Sequence, residues 1–206
     1  MIKRIAGALL VMFCVLGLAP AYAQTATSQE IITKAERWFE KITTLRADFT
    51  QISSDGNVAT GILYMRRPSQ MRLQYNGDAK LALIVSQSWL HVDEGKDKRV
   101  NSYPISSTPF APMLKEDIQL RSKKFKTTTK LEKGVASITL IQETGEAAGS
   151  LTLEFSETPF MLRRWIIEDA VGVTTKVTLQ NPQFGESFSN FLFTLPPYAS
   201  PQSDDN

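Results

Sequence analysis

Arg67 stands where an apolar strand face runs into a turn. In Thr60–Tyr75, TGILYMRRPSQMRLQY, two alternating segments flank Arg67-Pro68-Ser69-Gln70. Strand side chains alternate with period two, so Leu63, Met65 and Arg67 share a face, and Met71, Leu73 and Tyr75 share one on the returning segment. Arg72 and Gln74 point away, and Arg66 reads as a solvated hairpin arginine. A guanidinium at the end of an apolar face needs acceptors, because burying an unpaired charge is costly. The chemistry on offer is a charge-assisted hydrogen bond, with Arg67 as a latch at the end of this apolar face. On pattern alone the apolar stripe reads first as ordinary core, while the inward register of Arg67 favours a latch over a solvated turn arginine.

The residues that make or break bonds are missing or badly spaced. His91 is the one histidine, alternating with Trp89 and Asp93 on a strand, and reads as a surface or rim residue. Zinc needs several His or Cys ligands, so no metal is expected. No serine sits in a nucleophile elbow, and no glycine-rich phosphate loop occurs. Asp93-Glu94 and Glu168-Asp169 lie at strand ends. Neighbours on a strand face opposite ways, so neither pair sets two carboxylates across a cleft. The absence of a candidate site argues against an enzyme, with carboxylate chemistry the hardest to exclude.

The N-terminus carries a leader. Lys3 and Arg4 precede the apolar run Ile5–Leu18, and Ala21-Tyr22-Ala23 before Gln24 is a small-x-small cleavage site. The run is short for a membrane span. Residues 1–23 are therefore expected to be a signal peptide, 24–198 one domain, and 199–206 a disordered tail. The only cysteine, Cys14, lies within the leader, which excludes a disulfide framework and a lipid-anchoring cysteine at the cleavage point. The cleavage site is bacterial in style, which places the product, soluble, in the periplasm. Of 23 basic residues two leave with the leader, matching the 21 acidic ones. A neutral chain is no nucleic-acid binder, since excess basic charge supplies most of that affinity.

These residues are positioned by one helix and a long run of strands. Thr27 and Glu30 have capping-box spacing, followed by Ile31, Ala35, Trp38 and Ile42 at helical intervals. From Leu45 the period becomes two, with strands expected over 46–53, 58–67, 71–75, 81–86, 89–93 and 98–103. Ile105–Asp117, ISSTPFAPMLKED, breaks the pattern and reads as a lid, with Phe110, Met113 and Leu114 on its apolar side. Strands resume over 124–133, 135–142, 149–155, 161–168 and 172–180, and Phe184–Phe193 adds three further aromatics. About ten strands in one antiparallel sheet tend to curl. The fold class is mainly β (α+β): an unclosed, strongly curved antiparallel half-barrel with an N-terminal helix in its concavity and a short lid.

Phe49-Thr50-Gln51, Gly61, Leu63, Arg67-Pro68, Thr108-Pro109-Phe110 and the closing Phe191–Pro197 occur in an order that resembles the periplasmic lipoprotein carrier family LolA. The resemblance implies an unclosed barrel with a helical lid over a hydrophobic cavity. It implies transfer of lipoproteins, held by their acyl chains, from an inner-membrane ABC transporter to an outer-membrane acceptor, without cofactor. It maps the family's functional arginine onto Arg67, hydrogen-bonded to lid carbonyls in the closed state. Met71 stands where the family often has an aromatic. The expected cavity residues are Leu63, Met65, Met71, Leu73 and Tyr75 on the sheet, Trp38 on the helix, and Phe110, Met113 and Leu114 on the lid. The chain is expected to act as a monomer. Relatives on this scaffold bind other lipids or glycolipids or act as envelope sensors, so those roles stay open.

Overall fold

The computed structural model describes residues 27–199. The predicted leader and residues 200–206 of the predicted tail lie outside them. Helix α1, Ser28–Lys41, starts as its sequence demands. Thr27 Oγ1 accepts from the Glu30 amide at 3.3 Å, and the Thr27 amide donates to Glu30 Oε2 at 2.7 Å, satisfying amides the first turn leaves unpaired. Ile31, Ile32, Ala35 and Phe39 form its buried stripe.

Eleven strands follow, one for each strand segment expected: β1 Thr44–Ser53, β2 Val58–Arg66, β3 Gln70–Tyr75, β4 Leu81–Ser86, β5 Trp89–Glu94, β6 Arg99–Pro104, β7 Lys126–Glu132, β8 Val135–Gln142, β9 Gly149–Glu157, β10 Phe160–Asp169 and β11 Thr174–Phe184. They form a single sheet in the order β6-β5-β4-β3-β2-β1-β11-β10-β9-β8-β7, with every neighbouring pair antiparallel. Two meanders are thus joined where β1 pairs with β11. Strands β6 and β7 are edges, so the sheet is unclosed.

The curl follows from geometry. Across β3-β2-β1-β11-β10 the outer pair would lie about 19 Å apart if the sheet were flat, at roughly 4.8 Å per strand. Yet Met71, Leu73 and Tyr75 of β3 and Trp165 and Ile167 of β10 line a single cavity. Register shifts at Arg46/Asp48 and Leu162/Arg164 sit in this part of the sheet, and such irregularities bend and twist a strand. Helix α1 fills part of the concavity, its Phe39 edge-on to Phe155 of β9 with centroids 6.1 Å apart.

Phe184–Phe193 is not a further strand. β11 ends at Phe184, Gly185 takes φ 77°, and Asn190–Phe193 forms a 3-10 turn. The chain turns back over the outer face of β2 and β3. Phe188 meets Tyr64 edge-on at 5.5 Å, and Phe193 is buried under Arg66, whose Cζ lies 4.7 Å from the ring centre. Arg66 is therefore not the solvated arginine that its register suggested: its guanidinium donates to Gln70 Oε1, Phe188 O and Asn190 Oδ1.

Gly61 is required by close approach. It pairs with Phe49 on β1 and Tyr75 on β3, whose rings meet edge-on at 5.1 Å. A Cβ at Gly61 would strike the Gln74 carbonyl oxygen and come within 2.6 Å of Phe49 Cε1. Gly61→Ala should therefore lower unfolding free energy by about 1–3 kcal/mol, as overpacking does. Urea denaturation measures it, and an unchanged midpoint would contradict this packing.

Candidate functional site

A cavity of about 220 Å³ lies between the two walls of the curled sheet. Met71, Leu73 and Tyr75 of β3 and Leu83 of β4 form one wall. Trp165 and Ile167 of β10 and Thr175 and Val177 of β11 form the other, with Gln51 of β1 between them. The segment after β6 covers it, placing Phe110 and Met113 against the cavity. No lining residue carries a formal charge. The polar groups gather at Gln51, Tyr75 and Thr175. The Tyr75 hydroxyl donates to Gln51 Oε1 at 2.6 Å, and burial pushes its pKa up to about 12 against the opposing effect of that hydrogen bond.

The cover is irregular because Pro109 and Pro112 deny it strand hydrogen bonding. It consists of 3-10 turns at Ile105–Ser107 and Ala111–Leu114. The Ile105 amide donates to Ser88 O at 2.9 Å at one end. At the other end the β2–β3 turn holds it. Arg67 Nη2 donates to Lys115 O at 2.7 Å and Glu116 O at 3.0 Å, and the Ser69 amide donates to Leu114 O at 2.9 Å. The Arg67 guanidinium also lies over the Phe39 ring, 5.6 Å from its centre. Burial lowers its pKa while Glu40 opposes that, and the group remains cationic at any ordinary pH. Arg67 Nη1 is buried without a partner among the described residues. Beyond the cover, the Leu120 amide and the Arg121 guanidinium both donate to Glu36 of α1, at 3.0 and 2.6 Å.

Of the residues singled out from the sequence, Met71, Leu73, Tyr75, Phe110 and Met113 meet at this cavity. Leu63 and Met65, both fully buried, belong to the surrounding core, as does Leu114. Trp38 packs edge-on against Phe155 and Phe184, at 5.6 and 6.3 Å, away from the cavity lining. Gln51, Leu83, Trp165, Ile167, Thr175 and Val177 were not anticipated. A signal existed for the last two, since Val173, Thr175, Val177 and Leu179 alternate onto one face of β11. Among the described residues no cluster of His, Cys, Asp or Glu could hold a metal. His91 Nδ1 lies 2.7 Å from Ser102 Oγ, and burial lowers its pKa.

A half-open antiparallel sheet around an uncharged, lidded cavity defines a binding scaffold for apolar molecules. The family model described as outer membrane lipoprotein carrier protein LolA matches residues 40–196, and the chain belongs to that family. The family includes lipoprotein carriers and other lipid-binding proteins of the cell envelope, and its carriers bind cargo without catalysis. No curated protein matches the sequence. Among solved structures, an uncharacterized conserved protein from Thermus thermophilus is 11% identical with a TM-score of 0.51, covering 82% of this chain and 94% of its own. A LolA superfamily protein from Nitrosomonas europaea is 10% identical with a TM-score of 0.47, covering 83% and 99%. The lipoprotein LppX from Mycobacterium tuberculosis is 13% identical with a TM-score of 0.40, covering 75% and 95%. At such identities the likeness reaches the fold alone. Among the described residues no helix is long and apolar enough to cross a membrane.

The cavity predicts an alkaline signature. Tyr75 titrates near 12 when folded and near its ordinary value of about 10 when unfolded. A raised folded pKa contributes stability that is complete below the unfolded pKa and is lost as pH rises from about 10 to 12. That share should reach roughly 2–3 kcal/mol. Urea midpoints across this range should fall less steeply for Tyr75→Phe than for the wild type; equal slopes would contradict a buried hydroxyl.

Proposed function

We propose that this protein is a periplasmic carrier that takes lipoproteins by their acyl chains from an inner-membrane ABC transporter and delivers them to an outer-membrane acceptor. On this reading residues 1–23 direct export, the mature chain works as a monomer, and no bond is made or broken. The observation that carries it is the charge-free cavity under a cover held by Arg67. The family's lipoprotein carriers support the cargo.

Size gives the cover its role. The cavity, at about 220 Å³, falls below the roughly 300–1,000 Å³ typical of ligand pockets. Room for an acyl chain comes from lifting Phe110 and Met113, and lifting them strips Arg67 of its carbonyl partners.

Energetics supply the reason for that coupling. Burial stabilises a lipid chain by roughly 0.8 kcal/mol per CH₂, or about 11 kcal/mol for some 14 such groups. Two or three chains so buried would never be released on a useful timescale. A cover that closes well on the empty cavity subtracts from cargo binding. Hydrogen bonds to a charged group contribute roughly 1.5–3 kcal/mol each, less here because the guanidinium is half-exposed. The unpartnered Nη1 discounts the closed state further, which leaves an opening cost that cargo can overcome.

Arg67→Leu removes both bonds while keeping an apolar side chain against Phe39. It should fold, retain lipid through purification and slow handover to an acceptor at least tenfold. Native mass spectrometry of protein isolated with membranes reads the retained cargo, and its mass separates a lipoprotein from another lipid or glycolipid. Wild-type handover rates in this variant would remove the latch from the mechanism.

A further inference from the structure

The cavity is not uniformly greasy, and its polar end has a direction. The Tyr75 hydroxyl and the Gln51 side chain are 2.6 Å apart, a separation suited to O–H···O and short for N–H···O. The tyrosine is therefore the donor and Gln51 Oε1 the acceptor. That fixes the amide: Gln51 Nε2 keeps its N–H groups, and it donates to no group among the described residues. Thr175 also lines the cavity, and its hydroxyl takes part in no side-chain hydrogen bond among those residues. Gln51 lies opposite Val177 and Ser53 opposite Thr175 on β11, so Gln51 and Thr175 are two positions apart on the same inner face.

The gradient along the strands is consistent. On β3, Met71 lies beside the latch turn, followed by Leu73 and then Tyr75. Met113 of the cover is also close to the latch, one residue before Leu114. The two thioethers thus occupy the latch end, and Gln51, Tyr75 and Thr175 the opposite end, beside Val177 and Ile167.

We infer that the cavity recognises the carbonyl of an acyl ester or amide through Gln51 Nε2, with Thr175 beside it. This inference rests on the lipid-carrier reading and adds the feature of the cargo that is read. Hydrocarbon offers no polar atom to recognise, but the linkage that joins an acyl chain to its carrier molecule always does. A carbonyl drawn into an apolar site without a donor loses its water partners at a cost. A donor already facing the cavity offsets that cost and leaves none for an analogue lacking the carbonyl. The same contact sets polarity: the carbonyl sits at Gln51 and the tail runs toward Met71 and Met113. The head group then leaves beside the β1–β2 and β10–β11 turns, where Ile52, Val58, Val171 and Val173 are exposed.

The test compares 1-palmitoylglycerol with 1-O-hexadecylglycerol, the ether lacking the carbonyl, on delipidated protein. The wild type should bind the ester about five-fold more tightly than the ether, the scale of one hydrogen bond. Gln51→Leu, close in shape, should bind both equally. The wild type bound to ¹³C-carbonyl ester gives an independent reading in infrared spectra. The carbonyl stretch should move to lower wavenumber than in hexane. Equal wild-type affinities with an unshifted stretch would overturn the inference and leave the carrier reading standing. Failure of the wild type to bind either probe would overturn both.

Discussion

The pairing of β1 with β11 is the constraint on which the rest depends. Each meander alone is a row of hairpins with one apolar face and nothing to cover it. Joining the first strand to the last puts both apolar faces on one surface and leaves the edges at β6 and β7. Strand twist and two register shifts then turn that surface inward. The cavity is the space the two walls leave between them. β1 contributes to both structure and lining: Phe49 closes over Gly61, and two positions on Gln51 faces the cavity.

Consecutive arginines show how strand alternation divides work between the two faces. Arg66 points outward and fastens the C-terminal chain through Gln70, Phe188 and Asn190. Arg67 points inward and holds the cover through Lys115 and Glu116. Arg72 repeats the outward role by donating to Leu192 O. Tyr198 then donates to the buried Asp93 at 2.7 Å. The outer face is thus held by several fixed contacts. The cover is held by Arg67, by Ser69 and by the Ser88 carbonyl, with Met113 and Leu114 buried beneath it.

The cover is also bounded on its far side. Ile118 and Leu120 are buried, and the backbone of Leu120 is tied to Glu36. The irregular part of the cover lies before Ile118, where 3-10 turns and prolines replace strand pairing. The reading from sequence ended the lid at Asp117, one residue before this anchor.

The local features were legible because they are fixed by neighbours in the chain. The Thr27–Glu30 cap, the helical stripe of α1, the inward register of Leu63, Met65 and Arg67, and the break at Ile105 all follow from period and from proline. The sequence alone determined one helix, an antiparallel sheet of many strands and an irregular cover. What it could not determine is which inward side chains face empty space. Leu63, Met65 and Met71 share a face, yet only Met71 lines the cavity, because the distance to the opposite wall changes along the curl. That wall comes from β10 and β11, and its position depends on pairing across the whole length of the domain. The same holds for Trp38, directed by packing onto Phe155 and Phe184, and for Arg66, covered by a C-terminal turn whose aromatics show no strand period. Periodicity assigns a face to each residue; only the curvature, set by long-range pairing, decides whether that face meets another side chain or a cavity.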